Sequence, residues 1–179
     1  MEQNEEFKRG LIKGDVETCE YLIDSFCDKA YSFALYYFGD RFLAEEAVRQ
    51  SFAAFFADAA ALLSDNTPAG AYFAVLKGWC DGKYNEKRKE NGGVYPYELT
   101  AFEDKAALPY EIIKILSEMN RKERALLLLA DVVGLKRTVL CEIYGVDPDA
   151  MSTALSVCRD SLKEKLSAVG DFTVKGGDV

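Results

Sequence analysis

Few side chains in this sequence are equipped for chemistry, and their types narrow what that chemistry is. There is no histidine. That removes a Ser-His-Asp triad, a Cys-His dyad and any histidine-bearing zinc site, and with them the commonest general base. The five cysteines, Cys19, Cys27, Cys80, Cys141 and Cys158, are odd in number. They show no C-x-x-C spacing and sit mostly among apolar neighbours, as reduced structural thiols do. The carboxylates form no paired arrangement visible in the sequence, so an enzyme is a poor expectation and no cofactor or metal is implied. Cations and hydroxyls remain. Lys77, Lys83, Lys87, Arg88 and Lys89 suit phosphate contacts, or equally a solubilising helix end. Ser152, Thr153, Ser156 and Arg159 can donate to phosphates or base edges.

The elements that must position these groups read as helices nearly throughout. Of the four prolines, three follow Thr67, Leu108 and Asp147 and stand where a helix can begin. No convincing strand pattern occurs. A helix from about Val16 to Phe38 carries Leu22, Phe26, Ala30, Phe33 and Tyr37 at helical spacing, entered by Gly14-Asp15 and ended by Gly39-Asp40. A second, from about Arg41 to Leu63, puts Ala44, Val48, Phe52, Phe55, Phe56 and Ala59 on one stripe and Glu45, Glu46, Arg49, Gln50 and Asp58 near the other face. A third, from about Pro68 to Lys89, buries Tyr72, Val75, Leu76 and Trp79. Together they can form a bundle with its own core.

Residues 91–108 break the periodicity with Asn91-Gly92-Gly93, Pro96 and scattered acids, the composition of a linker that either swings or packs through Tyr95, Tyr97 and Phe102. Beyond Pro109, a helix with Ile112, Ile113, Leu116 and Met119 leads to Asn120, which caps a helix carrying Leu126, Leu127, Leu129, Ala130 and Val133. Gly134 stops it. A short helix from Lys136 to Tyr144, a turn at Gly145 and a helix capped by Asp147 and running to about Ala168 make a helix-turn-helix pattern. The expected architecture is all-α with two helical domains, 1–90 and 109–169, a linker at 91–108 and a flexible tail at 170–179. The acidic start lacks an apolar signal region, and no apolar run is long enough to span a bilayer, so a cytoplasmic protein is expected.

In these motifs the chain resembles the group IV, or extracytoplasmic-function, sigma-70 factors of bacterial RNA polymerase. Lys13-Gly14-Asp15, Gly39-Asp40 and Ala44-Glu45-Glu46-Ala47-Val48-Arg49-Gln50-Ser51-Phe52 fall where that family has a GD turn, an LGD turn and an AEDAVQEVF-like motif. Arg124-Ala125-Leu126-Leu127-Leu128 and Gly134-Leu135 through Gly145-Val146 match its two motifs in the second domain. The resemblance implies sigma region 2-like and region 4-like domains. It also implies that Glu46, Arg49 and Gln50 meet the β′ subunit of core RNA polymerase, although the family has Asp and Gln at positions 46 and 49. A solvated helix face is the alternative for these three residues.

By the same resemblance, an unpaired base of the promoter minus-ten element is captured at Leu63 to Thr67, where Asn66 can read a base edge and Asp65 would repel phosphate. Lys77, Lys83, Lys87 and Arg88 would hold the minus-ten phosphates. Trp79 lies on the apolar stripe, which favours core packing over base stacking. Ser152, Thr153, Ser156 and Arg159 would meet the minus-thirty-five element, yet on this recognition helix only Arg159 keeps one of the family's expected cations. From Asp149 to Leu166, Arg159, Lys163 and Lys165 are balanced by Asp149, Asp160 and Glu164, an unusual composition for a helix that grips DNA. The chain as a whole carries 22 Lys+Arg against 30 Asp+Glu, a net charge of −8.

Three functions follow. The first is a transcription initiation factor that binds core RNA polymerase and directs it to promoter DNA. The second is a sigma mimic that keeps the fold to bind an anti-sigma factor or another partner but has lost promoter recognition. The third is a helical interaction module that happens to carry a helix-turn-helix.

Overall fold

In the computed structural model, which describes residues 2–97 and 110–169, the helix boundaries are set largely by short polar caps and left-handed glycines. The linker residues 98–108, Phe102 among them, the start at Leu108-Pro109 and the tail 170–179 lie outside the described residues. Helix α1 spans Glu2–Lys13 and α2 spans Val16–Phe38. Between them Asp15 accepts from the Thr18 N–H at 2.9 Å, which satisfies one of the orphan donors of the first turn of α2. Gly39 ends α2 at φ +66°, and its N–H bonds to the Leu35 carbonyl at 2.7 Å.

Asp40 then caps α3, Arg41–Ala57, through the Leu43 N–H at 3.0 Å. The continuous helix expected to Leu63 is instead broken at Asp58. There φ is −131°, and the Asp58 N–H bonds back only to Phe55, so a four-residue helix α4, Ala59–Leu62, starts in a new direction. The break brings α4 against α1 and buries Ala59 and Leu63. Helix α5, Pro68–Glu90, begins with Thr67 accepting from the Gly70 N–H at 3.1 Å and Pro68 in the first turn.

The remaining helices are α6 (Tyr110–Glu118), α7 (Arg121–Leu127), α8 (Arg137–Tyr144) and α9 (Pro148–Val169). Helix α7 widens into a π-helical stretch over Leu128–Val132, which the apolar run in the sequence does not announce. Gly134 and Gly145 take φ of +73° and +63°, where a side chain would be strained. Asp147 caps α9 by accepting from the Asp149 and Ala150 N–H groups at 3.0 and 2.9 Å. Those bonds, the one from Ala150 foremost, hold its carboxyl below the ordinary aspartate value of 3.8. A carboxyl depressed in the folded state stabilises the fold above its unfolded value and loses that contribution as pH falls below it. The Ala150 amide is therefore expected to keep its hydrogen-exchange protection at pH 3.8 and to lose it only as pH falls further, through the depressed folded-state value, and protection that does not respond to acid at all would contradict the cap.

One continuous core joins all these elements. Helix α2 packs on α3, and α3 on α5; Phe52 stacks on Tyr72 at 4.4 Å, with Phe26 stacked on the same ring at 5.6 Å. The Tyr72 hydroxyl meets Ser51 at 3.1 Å, so this buried pair of polar groups is satisfied. Of the expected stripe on α5, Tyr72 and Leu76 are buried while Val75 and Trp79 are half-buried, and Trp79 meets Phe38 edge-on. Cys80 and Cys158 are buried, Cys19, Cys27 and Cys141 half-buried, and all five are free thiols. Burial pushes Cys19, Cys27, Cys80 and Cys158 up, away from the reactive thiolate.

The C-terminal helices sit on the same core. Helix α8 packs on α5, and the π-helical stretch packs on α2. The junction is aromatic and cationic. Arg124, 1% exposed, places its guanidinium 5.5, 5.7 and 5.2 Å from the ring centres of Tyr37, Tyr84 and Tyr97. Tyr97 packs so closely on Gly39 that a Cβ there would fall 2.6 Å from its ring, and its hydroxyl donates to the Tyr36 carbonyl at 2.8 Å. Tyr95 stacks on Tyr84 at 4.2 Å. The segment 94–97 is therefore packed across α2 and α5 rather than swinging free of them.

Candidate functional site

Two helix faces and one loop carry the residues singled out in the sequence. On α3, Leu43, Ala44, Ala47, Ser51, Phe52 and Phe55 point into the core. The opposite face leaves Arg49 and Gln50 exposed and Glu46 half-buried. Phe42 stands beside them, 85% exposed, and with Glu45, Glu46 and Arg49 it lines an open hollow of about 420 Å³. Sequence reasoning missed Phe42 because a phenylalanine in an apolar-rich helix reads as core. Its spacing was the available signal: positions 42, 46 and 49 recur every three to four residues and so share a face that the buried stripe does not use. An exposed ring flanked by charges of both signs is the composition of a protein-docking surface.

The loop before α5 is closed on itself. The Asn66 side chain donates to the Leu62 carbonyl at 3.1 Å, which commits one amide hydrogen to the loop and leaves the other hydrogen and the oxygen able to read a base edge. Along α5 the cations separate. Lys77 bonds Asp81 at 2.9 Å and lies over the Tyr144 ring of α8. Lys83 pairs with Glu86 at 3.2 Å, Lys87 with Glu90 at 3.3 Å, and Arg88 donates to the Gly93 carbonyl at 2.6 Å. The hydrogen bond that Lys83 donates to Glu86 chiefly, and the Glu46 carboxylate among others, raises its ammonium. Lys83 thus pairs along its own helix, whereas Lys77 belongs to the contact with α8. Exposed pairs such as those at Lys83 and Lys87 contribute at most about 1 kcal/mol, so a phosphate can displace them.

The helix-turn-helix places Ser152, Thr153, Ser156 and Arg159 on α9. The Ser152 hydroxyl donates to the Pro148 carbonyl and receives Arg137 at 2.8 Å; the Thr153 hydroxyl donates to the Asp149 carbonyl at 3.0 Å. Arg159 is held by both oxygens of Asp131, at 2.6 and 3.2 Å, and this pair raises its guanidinium further. Ser156 is exposed, and so is Val157 beside it, at 58%. The cation expected to serve DNA therefore already has a bidentate anionic partner within the protein. Among the described residues no group of three or more acidic or cysteine side chains is placed to hold a metal ion, and no helix is long and apolar enough to cross a membrane.

The fold is that of a sigma factor. The sigma factor RpoE in complex with the anti-sigma factor NepR, from Bartonella quintana, matches at a TM-score of 0.65 with 17% identity, over 83% of this chain and 95% of that one. CnrH in complex with the cytosolic domain of CnrY matches at a TM-score of 0.71 with 13% identity, over 93% of this chain and 99% of that one. No protein-family model matches the sequence, and neither does any curated protein.

Proposed function

We propose that this chain is a sigma-70-like factor that docks on core RNA polymerase through the exposed face of α3 and offers α5 and its preceding loop to promoter DNA. The observation that carries this reading is the α3 face, where Phe42, Arg49 and Gln50 stand in solvent beside Glu46 on a helix whose other side is core. On this reading residues 1–90 and 109–169 are the region 2-like and region 4-like domains, and the protein acts in the cytoplasm, where polymerase is. The β′ subunit meets Glu46, Arg49 and Gln50 around the Phe42 ring. Asn66, Lys83, Lys87 and Arg88 face the minus-ten strand, with Lys77 joining them once it is free of α8. Ser152, Thr153, Ser156 and Arg159 add little grip at the minus-thirty-five element, because they include a single cation and counterion release by several cations supplies most DNA affinity.

The Arg159–Asp131 pair favours a second reading, a sigma mimic that binds an anti-sigma factor or another protein and no longer directs transcription. Transcription by purified core polymerase from a pool of genomic promoters separates the two. Defined transcripts that depend on this protein support the first reading; polymerase binding without transcripts supports the second. A surface substitution tests the docking face directly. Arg49→Ala is expected to leave the melting temperature unchanged and to weaken polymerase binding about tenfold, or about 1.4 kcal/mol. Unfolding by Arg49→Ala would show that this side chain is structural.

A further inference from the structure

The contact between α5 and α8 is built around one carboxylate. Glu142 Oε2 accepts from the Thr67 N–H at 3.0 Å and from the Thr67 hydroxyl at 2.7 Å, linking residues 75 positions apart. As the residue that caps α5, Thr67 has no helical acceptor for its own N–H, so Glu142 supplies the partner it otherwise lacks. The seat exists because position 70 is glycine: a Cβ there would overlap Glu142 Oε2. At Gly78 and Gly82 of the same helix a Cβ would meet nothing, so the demand for glycine is particular to the first turn. The contact is extended by Lys77 over the Tyr144 ring at 5.1 Å.

We infer that α8 latches over the start of α5 in the resting protein, with Glu142 as the latch, and that single-stranded promoter DNA and Glu142 compete for the stretch 63–67. The inference rests on the reading of that stretch given under Proposed function. Seated there, the carboxylate occupies the Thr67 donors next to Asn66 and adds negative charge where a DNA strand must approach. The same seating holds Lys77 under Tyr144 and away from phosphate. Because apparent affinity falls in proportion to the fraction of molecules that are uncovered, weakening the latch raises DNA affinity without adding any contact.

The test uses the full chain in four forms: unaltered, Glu142→Ala, Gly70→Ala and Gly78→Ala. Gly70→Ala expels the carboxylate by filling its seat. Gly78→Ala makes the same change of residue type in open space. Amide exchange at Thr67 reports whether the latch is seated, and fluorescence anisotropy with short labelled single-stranded DNA of randomised sequence reports competition. Glu142→Ala and Gly70→Ala are expected to speed Thr67 exchange and tighten DNA binding, each about tenfold, while Gly78→Ala does neither. Unchanged Thr67 exchange in both latch variants overturns the latch itself. Faster exchange with equal DNA affinity in all four forms overturns the competition. Faster exchange with no form binding DNA also overturns it, and locates the fault in the DNA reading of 63–67 rather than in the seat of Glu142.

Discussion

Phe52→Ala is expected to lower the free energy of unfolding by about 3–5 kcal/mol, a large share of the 5–15 kcal/mol typical of whole proteins. The ring is 8% exposed and stacks on Tyr72 at 4.4 Å, and Phe26 stacks on the same ring at 5.6 Å. Truncation therefore removes the central ring contact between α3 and α5 and leaves a void where α2, α3 and α5 meet. The neighbours cannot close it cheaply, because Tyr72 is fixed by its hydroxyl contact with Ser51. Urea denaturation of the variant checks this, and a loss under 1 kcal/mol would show that the site collapses without cost.

Arg124→Ala is expected to cost about 2–4 kcal/mol, from the combined loss of cation–π contacts and of hydrogen bonds made by a charged donor. The guanidinium lies among three tyrosine rings and donates to the carbonyls of Leu116 and Ser117 at 3.3 and 3.4 Å, near the C-terminal end of α6. Removing it empties the tyrosine cage and takes the charged donor from those carbonyls, of which that of Leu116 keeps the Met119 N–H at 3.3 Å. Arg124→Met keeps the length of the side chain and is expected to lose less than Arg124→Ala. Arg124→Lys offers a point charge in place of a planar fork and is expected to fall between them. Equal stability of all three variants and the unaltered protein would mean that the cage contributes nothing.

Much of the fold was legible because its signals are local. Asp15, Asp40, Thr67, Asn120 and Asp147 cap within three residues, and Gly39, Gly134 and Gly145 turn the chain where a side chain would be strained. Other features were not. Helix α1 is highly charged and buries Leu11 deeply only by packing on elements later in the chain, so nothing local in the charged start announces a helix. The break at Asp58 and the π-helical stretch at Leu128–Val132 both sit inside apolar runs, where periodicity has no contrast to report.

The candidate site divides along the same line. Glu46, Arg49 and Gln50 fall together on the face that helical spacing assigns them, because one helix positions all three. The cations of α5 were read as one cluster, yet Lys77 turns to α8 while Lys83 pairs with Glu86 along its own helix. That division depends on where α8 packs, as do the seat of Glu142 on Thr67 and the pairing of Arg159 with Asp131. Such contacts link positions far apart in the chain, and no local pattern encodes them.

Titration of the purified protein against core RNA polymerase at low salt tests the central claim most directly. The account predicts a one-to-one complex that Arg49→Ala weakens about tenfold while leaving the fold intact. The absence of any complex, or a complex indifferent to Arg49, would contradict it.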